Sequence, residues 1–286
     1  MKCGLALAGG GIRGIAHAGA IKALEELKIS IDIIGGTSSG SIIGALYAMG
    51  YSPESIFALF KKYAKEATYI EPKAITSEIY SFIKYKKITM NGLKTGMEIE
   101  KKYNELAIKK GVKKINDISM PLVIPAVDIY SCKKYVFASK IPEGETNKNQ
   151  YILDASIGTA VRASSSFPIV FSPCDYKDYA FLDGGILDNI PIQEVKKQGA
   201  DTIIAITFES EKVDKNSNLM DLSMRIIDIM GEKISKENIE MADEIITIPS
   251  DGTGLLDADK IDFCYLSGYN TIMENRERII AKFGKM

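Results

Sequence analysis

Among the 286 residues there is one histidine, His17, and no tryptophan. A single imidazole makes a histidine-built zinc site improbable, and no cofactor or metal is expected. The four cysteines, Cys3, Cys132, Cys174 and Cys264, have neither CxxC nor metal-ligand spacing. They read as reduced, half-buried small hydrophobes of a cytoplasmic protein. No apolar run reaches the roughly 18 residues that cross a bilayer. Met1 to Ala8 has one lysine and a short apolar stretch that runs straight into Gly9-Gly10-Gly11. That is a strand entering a turn, not a signal peptide with its cleavage site. A net charge of -1 gives no reason to expect a nucleic-acid partner.

The near-zero net charge hides an asymmetry. Lys61 to Lys114 holds 14 lysines against 6 glutamates, +8, so the rest of the chain carries -9. The basic segment 61–114 is either a solvated helical face or a surface for peripheral contact with anionic membrane. With 46% hydrophobic residues, the chain can bury the core of one sizeable domain, residues 1–286.

The hydrophobic pattern alternates between short apolar runs and helical spacing. Cys3 to Ala8 and Ile31 to Ile34 are buried strands. Ile15 to Leu27 and Ser39 to Met49 are helices. This strand-helix-strand-helix opening argues for a parallel sheet covered by helices. Pro53 to Ala67 is an amphipathic helix, with Ser52 as cap and Pro53 at its first position. Its stripe Ile56, Leu59, Phe60 and Tyr63 faces either the core or a lipid surface. An insertion or lid-like region is expected at about 68–96, where Tyr80, Phe82, Ile83 and Tyr85 interleave with lysines. Helices are expected over Met97 to Lys110, Asp154 to Ala163, Ile192 to Gln198, Met220 to Ala242 and Phe263 to Phe283. Further strands are expected at Leu122 to Ile129, Tyr135 to Phe137, up to Asp183, Thr202 to Thr207 and Glu244 to Ile248.

Three segments carry chemistry, each just after a strand, where open α/β sheets bind ligands. Gly36-Thr37-Ser38-Ser39-Gly40 reads as G-x-S-x-G, the turn that exposes a nucleophilic serine. A serine nucleophile usually takes its base from a histidine. His17 lies ahead of the elbow in a helix, which is the wrong place for a Ser, Asp, His order. Either Ser38 is not catalytic or its base is another residue. The bland alternative is a helix start with Ser38 or Ser39 as N-cap. Gly9-Gly10-Gly11-Ile12-Arg13-Gly14 brings backbone N–H groups and a helix start toward a ligand, which suits an oxyanion. It also matches G-x-G-x-x-G, but the acidic residue a dinucleotide needs is not at the end of the second strand. Asp183-Gly184-Gly185, followed by Asn189 and Pro191, is either an ordinary turn or a base whose weak carboxylate is strengthened by burial.

Together the three segments resemble the patatin-like phospholipase family, in its bacterial form. Weaker echoes lie in Gly92-Leu93 with Gly96, in Ile124 to Asp128, and in Ala163-Ser164-Ser165 running into Phe167-Pro168. The resemblance covers most of the chain. It implies a three-layer α/β/α fold with a central, mainly parallel sheet. It also implies a Ser-Asp catalytic dyad without histidine: Ser38 the nucleophile, Asp183 the base. The oxyanion hole would be the loop of Gly9, Gly10, Gly11, Arg13 and Gly14, with Gly36 and Gly40 clearing the elbow and Gly184 and Gly185 completing the Asp-Gly-Gly motif. The activity implied is hydrolysis of fatty-acyl esters of (phospho)lipids through an acyl-enzyme. The alternatives are a non-catalytic scaffold on the same fold and a general carboxylesterase. Arg13 is expected either to contact a lipid phosphate or, the favoured reading, to brace its loop, and His17 to pack within its helix.

Overall fold

The computed structural model describes residues 1–68, 92–210, 238–250, 252–254 and 257–284, with positions 222, 225, 226, 229 and 233 between them. Most of the expected insertion, with its tyrosines and lysines, and much of the expected helix from Met220 to Ala242 lie outside the described residues.

Among the described residues nine strands form one sheet: β1 (Cys3–Leu7), β2 (Ile33–Gly36), β3 (Leu122–Asp128), β4 (Lys133–Ala138), β5 (Tyr151–Ile152), β6 (Cys174–Tyr176), β7 (Tyr179–Asp183), β8 (Thr202–Phe208) and β9 (Glu244–Ile248). The order is β5-β4-β3-β2-β1-β8-β9, with β7 on β3 and β6 on β7. From β9 to β3 every pair is parallel. β4 and β7 both run antiparallel to β3. Every residue of β1, β2 and β3 is buried, as strands covered on both faces require.

The two faces separate cleanly. Leu5 and Leu7, Ile34, Ile204 and Ile206 enter one apolar cluster; Ala6 and Ala8, Ile33, Ile203 and Ala205 enter the other. That period of two places a helical layer on each side of the sheet and makes the three-layer α/β/α fold. The larger layer holds α1 (Ala16–Glu26), α2 (Ser39–Ala48), α3 (Pro53–Thr68), α4 (Met97–Lys109), α5 (Ile157–Ser164) and α7 (Ile261–Glu274); α6 (Ile192–Lys197) lies in the other. In α3, Ile56 is fully buried, and Leu59 and Phe60 pack on the core, so the stripe faces inward there. α1 and α7 approach closely because Gly19 and Gly268 have no side chain: a Cβ on either would strike a carbonyl of the facing helix.

Several boundaries differ from the sequence reading. The closing helix is two helices, α7 and α8 (Arg276–Phe283), broken at Asn275, whose side-chain amide takes the Thr271 carbonyl at 2.7 Å. α5 starts at Ile157 because the Ser156 hydroxyl caps it, accepting the Thr159 N–H. The short strands β5 and β6 carry too few residues to show a period. Three cysteines are buried, but Cys132 is exposed in the β3–β4 turn, with φ +54°. It is not half-buried because that turn projects beyond the sheet.

Candidate active site

The register of β3 brings two motifs together. β2 runs beside β3 as far as Gly35 opposite Val123. From Ala126 onward β7 occupies that same edge in the opposite direction, with Asp183 opposite Ala126. The carboxyl ends of β2 and β7 therefore point at each other along one edge of β3. Pro125, which has no N–H for a ladder, lies between the two pairings. Ser38 follows the end of β2, and Asp183 is the end of β7.

The elbow is strained and tightly fitted. Ser38 has φ +51° and ψ -122°, outside the regions a side-chain-bearing residue prefers. A Cβ on Gly36 would collide with the Gly40 backbone, and one on Gly40 with the Leu7 carbonyl. Both flanking glycines are thus demanded by close approach, as the spacing predicts. The strained residue is held from several sides. The Ser38 N–H donates to the Ser164 hydroxyl at 3.0 Å, and the Ser41 hydroxyl donates to the Ser38 carbonyl at 2.6 Å. Ser38 itself is half-buried and stands at the N-terminus of α2, whose dipole favours negative charge there.

Asp183 is buried, with 2% of its surface exposed. Its N–H donates to the Ser166 carbonyl at 3.0 Å, and its Oδ1 accepts the Gly185 N–H at 2.8 Å. Its other oxygen, Oδ2, is buried without a hydrogen-bond partner. Burial pushes the carboxyl up to about 6, while the neighbouring Ser38 hydroxyl and the Gly185 N–H pull it down. Gly184 leaves room for the Pro125 carbonyl and for the Thr37 methyl, 3.1 Å from where its Cβ would stand.

The glycine loop lies against the elbow. A Cβ on Gly9 would be 3.1 Å from the Ser38 Cβ, and one on Gly14 would overlap the Ser39 side chain. The Gly9 N–H is already committed: it donates to both the carbonyl and Oδ1 of Asn189, each at 3.2 Å. Gly10 and Gly11 open a short 3-10 turn, Gly11–Ile15, where N–H groups have no partner within the helix. Arg13 is buried and braces this loop. Its Nε donates to the Gly10 carbonyl at 3.3 Å, its Nη1 to the Glu209 carbonyl at 3.1 Å, and its guanidinium lies over the Phe208 ring.

His17 is fully buried in α1, with its ring 4.9 Å from that of Phe208. Its Nε2 donates to the Ala8 carbonyl at 2.8 Å. Burial lowers its pKa to about 4, so it is neutral at physiological pH. Among the described residues, no group of three His, Cys, Asp or Glu side chains could hold a metal ion.

Sequence reasoning reached Ser164 only as part of a weak echo, and it missed Asp188, Lys134 and Glu194. Lys134 on β4 donates to Asp188 and to Glu194, each at 2.8 Å, across 54 and 60 residues of chain. No local pattern signals a contact at that separation.

The patatin-like phospholipase family matches residues 5–196. The lysophospholipase NTE1 of the fungus Meyerozyma guilliermondii is 35% identical over 208 residues, covering 72% of this chain and 12% of the relative. That of Aspergillus fumigatus is 30% identical over 300 residues, covering 93% of this chain and 18% of the relative. The chain thus spans under a fifth of these curated relatives. Both are fungal, and the expectation of a bacterial member finds no support in them. Among solved structures, the type III effector protein ExoU of Pseudomonas aeruginosa shares the fold, with a TM-score of 0.50 at 15% identity over 97% of this chain and 53% of its own. By its sequence match over more than half its length, this chain belongs to the patatin-like phospholipase family.

Proposed function

We propose that this chain hydrolyses fatty-acyl esters of lipids, lysophospholipids among them, with Ser38 as nucleophile and Asp183 as general base. The observation that carries this reading is the buried Asp183 carboxyl, whose Oδ2 accepts no hydrogen bond and whose ionised form the hydroxyl of the strained Ser38 favours. A carboxyl raised to about 6 is ionised at neutral pH, yet more basic than an ordinary aspartate. The relatives' name, lysophospholipase, supports the substrate class.

In this mechanism Asp183 takes the Ser38 proton as Oγ attacks the ester carbonyl. The carbonyl oxygen gains the negative charge and is held by the N–H groups of Gly10 and Gly11. Each such donor is worth about 100- to 1000-fold in rate. The intermediate collapses, and the leaving alcohol takes the proton back from Asp183. Water then gives a proton to Asp183 and attacks the acyl-Ser38; as the acyl–Oγ bond breaks, Asp183 returns that proton to Oγ, which releases the fatty acid and restores both serine and carboxylate. Arg13 keeps the glycine loop in position and does not contact the reacting atoms in this scheme.

The test is fluorophosphonate labelling alongside turnover of a lysophospholipid. The wild type should label on Ser38 and release fatty acid. A folded wild type that does neither would sink the reading and leave a binding protein on this fold. We also propose a cytoplasmic protein that meets anionic membrane through segment 61–114. Vesicle binding should then rise with anionic lipid and fall with salt. Binding indifferent to both would remove that part.

A further inference from the structure

Two consecutive residues outside the three motifs touch all of them. The Asp188 N–H donates to the Gly184 carbonyl at 2.8 Å, in the Asp-Gly-Gly turn. The Asp188 carbonyl accepts the Thr37 hydroxyl at 2.8 Å, in the elbow. The next residue, Asn189, accepts the Gly9 N–H at the start of the glycine loop. These are the segments that hold the base, the nucleophile and the proposed oxyanion donors.

The pair is anchored from behind. The Asp188 side chain is 1% exposed, and its Oδ2 accepts the Lys134 ammonium at 2.8 Å. The same ammonium donates to Glu194 of α6, which is fully buried and also accepts the Tyr151 hydroxyl at 2.7 Å. One lysine from β4 therefore ties residue 188 to α6 and β5. Charge-assisted bonds of this kind are short and directional. We propose that Asp188 and Asn189 form a positioning element that sets the nucleophile, the base and the glycine loop relative to one another, and that Lys134 holds this element in place. The proposal rests on the hydrolase reading above. Its physical basis is that a misplacement of about 1 Å between reacting groups can cost about 100-fold in rate.

The experiment measures the rate of fluorophosphonate labelling, with kcat and KM on a soluble ester, well below each variant's melting temperature. Thr37→Val removes only the hydroxyl that meets the Asp188 carbonyl. The triple variant Lys134→Met, Asp188→Asn, Glu194→Gln releases the clamp without leaving an unpaired buried charge. Both should label about 10- to 100-fold more slowly, with kcat reduced in step, KM little changed and the pH midpoint of Asp183 retained. A purely structural role would lower the melting temperature and leave the labelling rate alone, and that result would overturn the proposal. If the triple variant does not fold, Thr37→Val alone decides. A wild type that fails to label overturns the hydrolase reading and takes this proposal with it. A labelled wild type beside an equally fast Thr37→Val overturns only the proposal.

Discussion

The surroundings of His17 and of Asp183 have much in common on paper. Both groups are buried, both are shifted toward their neutral forms by loss of water, and each keeps one polar atom without a partner, Nδ1 and Oδ2 respectively. The difference is what each group faces. The His17 ring sits in α1 against Phe208, and its bonded nitrogen is spent on the Ala8 carbonyl. Asp183 ends a strand aimed at the elbow, and the Ser38 hydroxyl acts directly on its pKa. Burial perturbs a titratable group but does not make it a base; a base also needs a proton donor within reach. By that criterion the histidine is packing, and the aspartate is the group that the proposed mechanism uses as base.

The largest expected effect tests this contrast directly. Ser38→Ala and Asp183→Asn should each lower turnover by about 10^4-fold or more, as loss of a serine hydrolase nucleophile or base does. His17→Gln, which keeps a donor for the Ala8 carbonyl, should stay within a few-fold of wild type. Equal losses in all three, measured on folded protein, would erase the distinction between the two regions.

The pH profile sharpens it. With Asp183 as base, kcat/KM should rise with pH and reach half its plateau near pH 6, where the carboxyl ionises. A profile flat down to pH 4 would point away from Asp183.

Stability should separate the two groups by sign. Folded Asp183 titrates near 6 against 3.8 unfolded, so ionising it weakens the fold as pH rises through that window. Folded His17 titrates near 4 against 6.5 unfolded, so its contribution weakens the fold as pH falls through that window. Each amounts to about 3 kcal/mol, and over pH 4 to 6 they oppose each other. Asp183→Asn should therefore be more stable than wild type at pH 7 and lose that advantage at pH 4. Denaturant melts at the two pH values decide it; an advantage that grows on acidification would reverse the assigned sign.

The smallest effect concerns Ser164. Ser164→Ala leaves the Ser38 N–H without its acceptor and should cost about 1 to 2 kcal/mol of stability and about 10-fold in turnover. Unchanged kinetics would show that Gly36, Gly40 and the α2 backbone hold the elbow unaided.

Much of this was legible in the chain because it is local. Strand, tight turn and helix follow one another from Cys3 to Ala48, and the glycines at 36 and 40 announce a backbone crossing that the structure contains. The interruption at Asn275 was not legible, because a side-chain amide capturing a carbonyl leaves the apolar period intact. Nor was the clamp of Lys134, Asp188 and Glu194, since charged residues in a sequence carry no sign of burial or partner. The lone histidine pointed away from a conventional triad by its place ahead of the elbow, but that place could not say what Asp183 touches.

The sequence by itself determined the parallel βα units, the elbow and the amphipathic stripe of α3, since each depends on residues within a few turns of one another; which way that stripe faces came from the packing. Only the tertiary structure decided that β7 would return along β3 to meet β2 end to end. That meeting rests on two separate pairings with β3, both distant in the chain, set by packing and hydrogen-bond register over the whole sheet, and no local pattern of side chains encodes it.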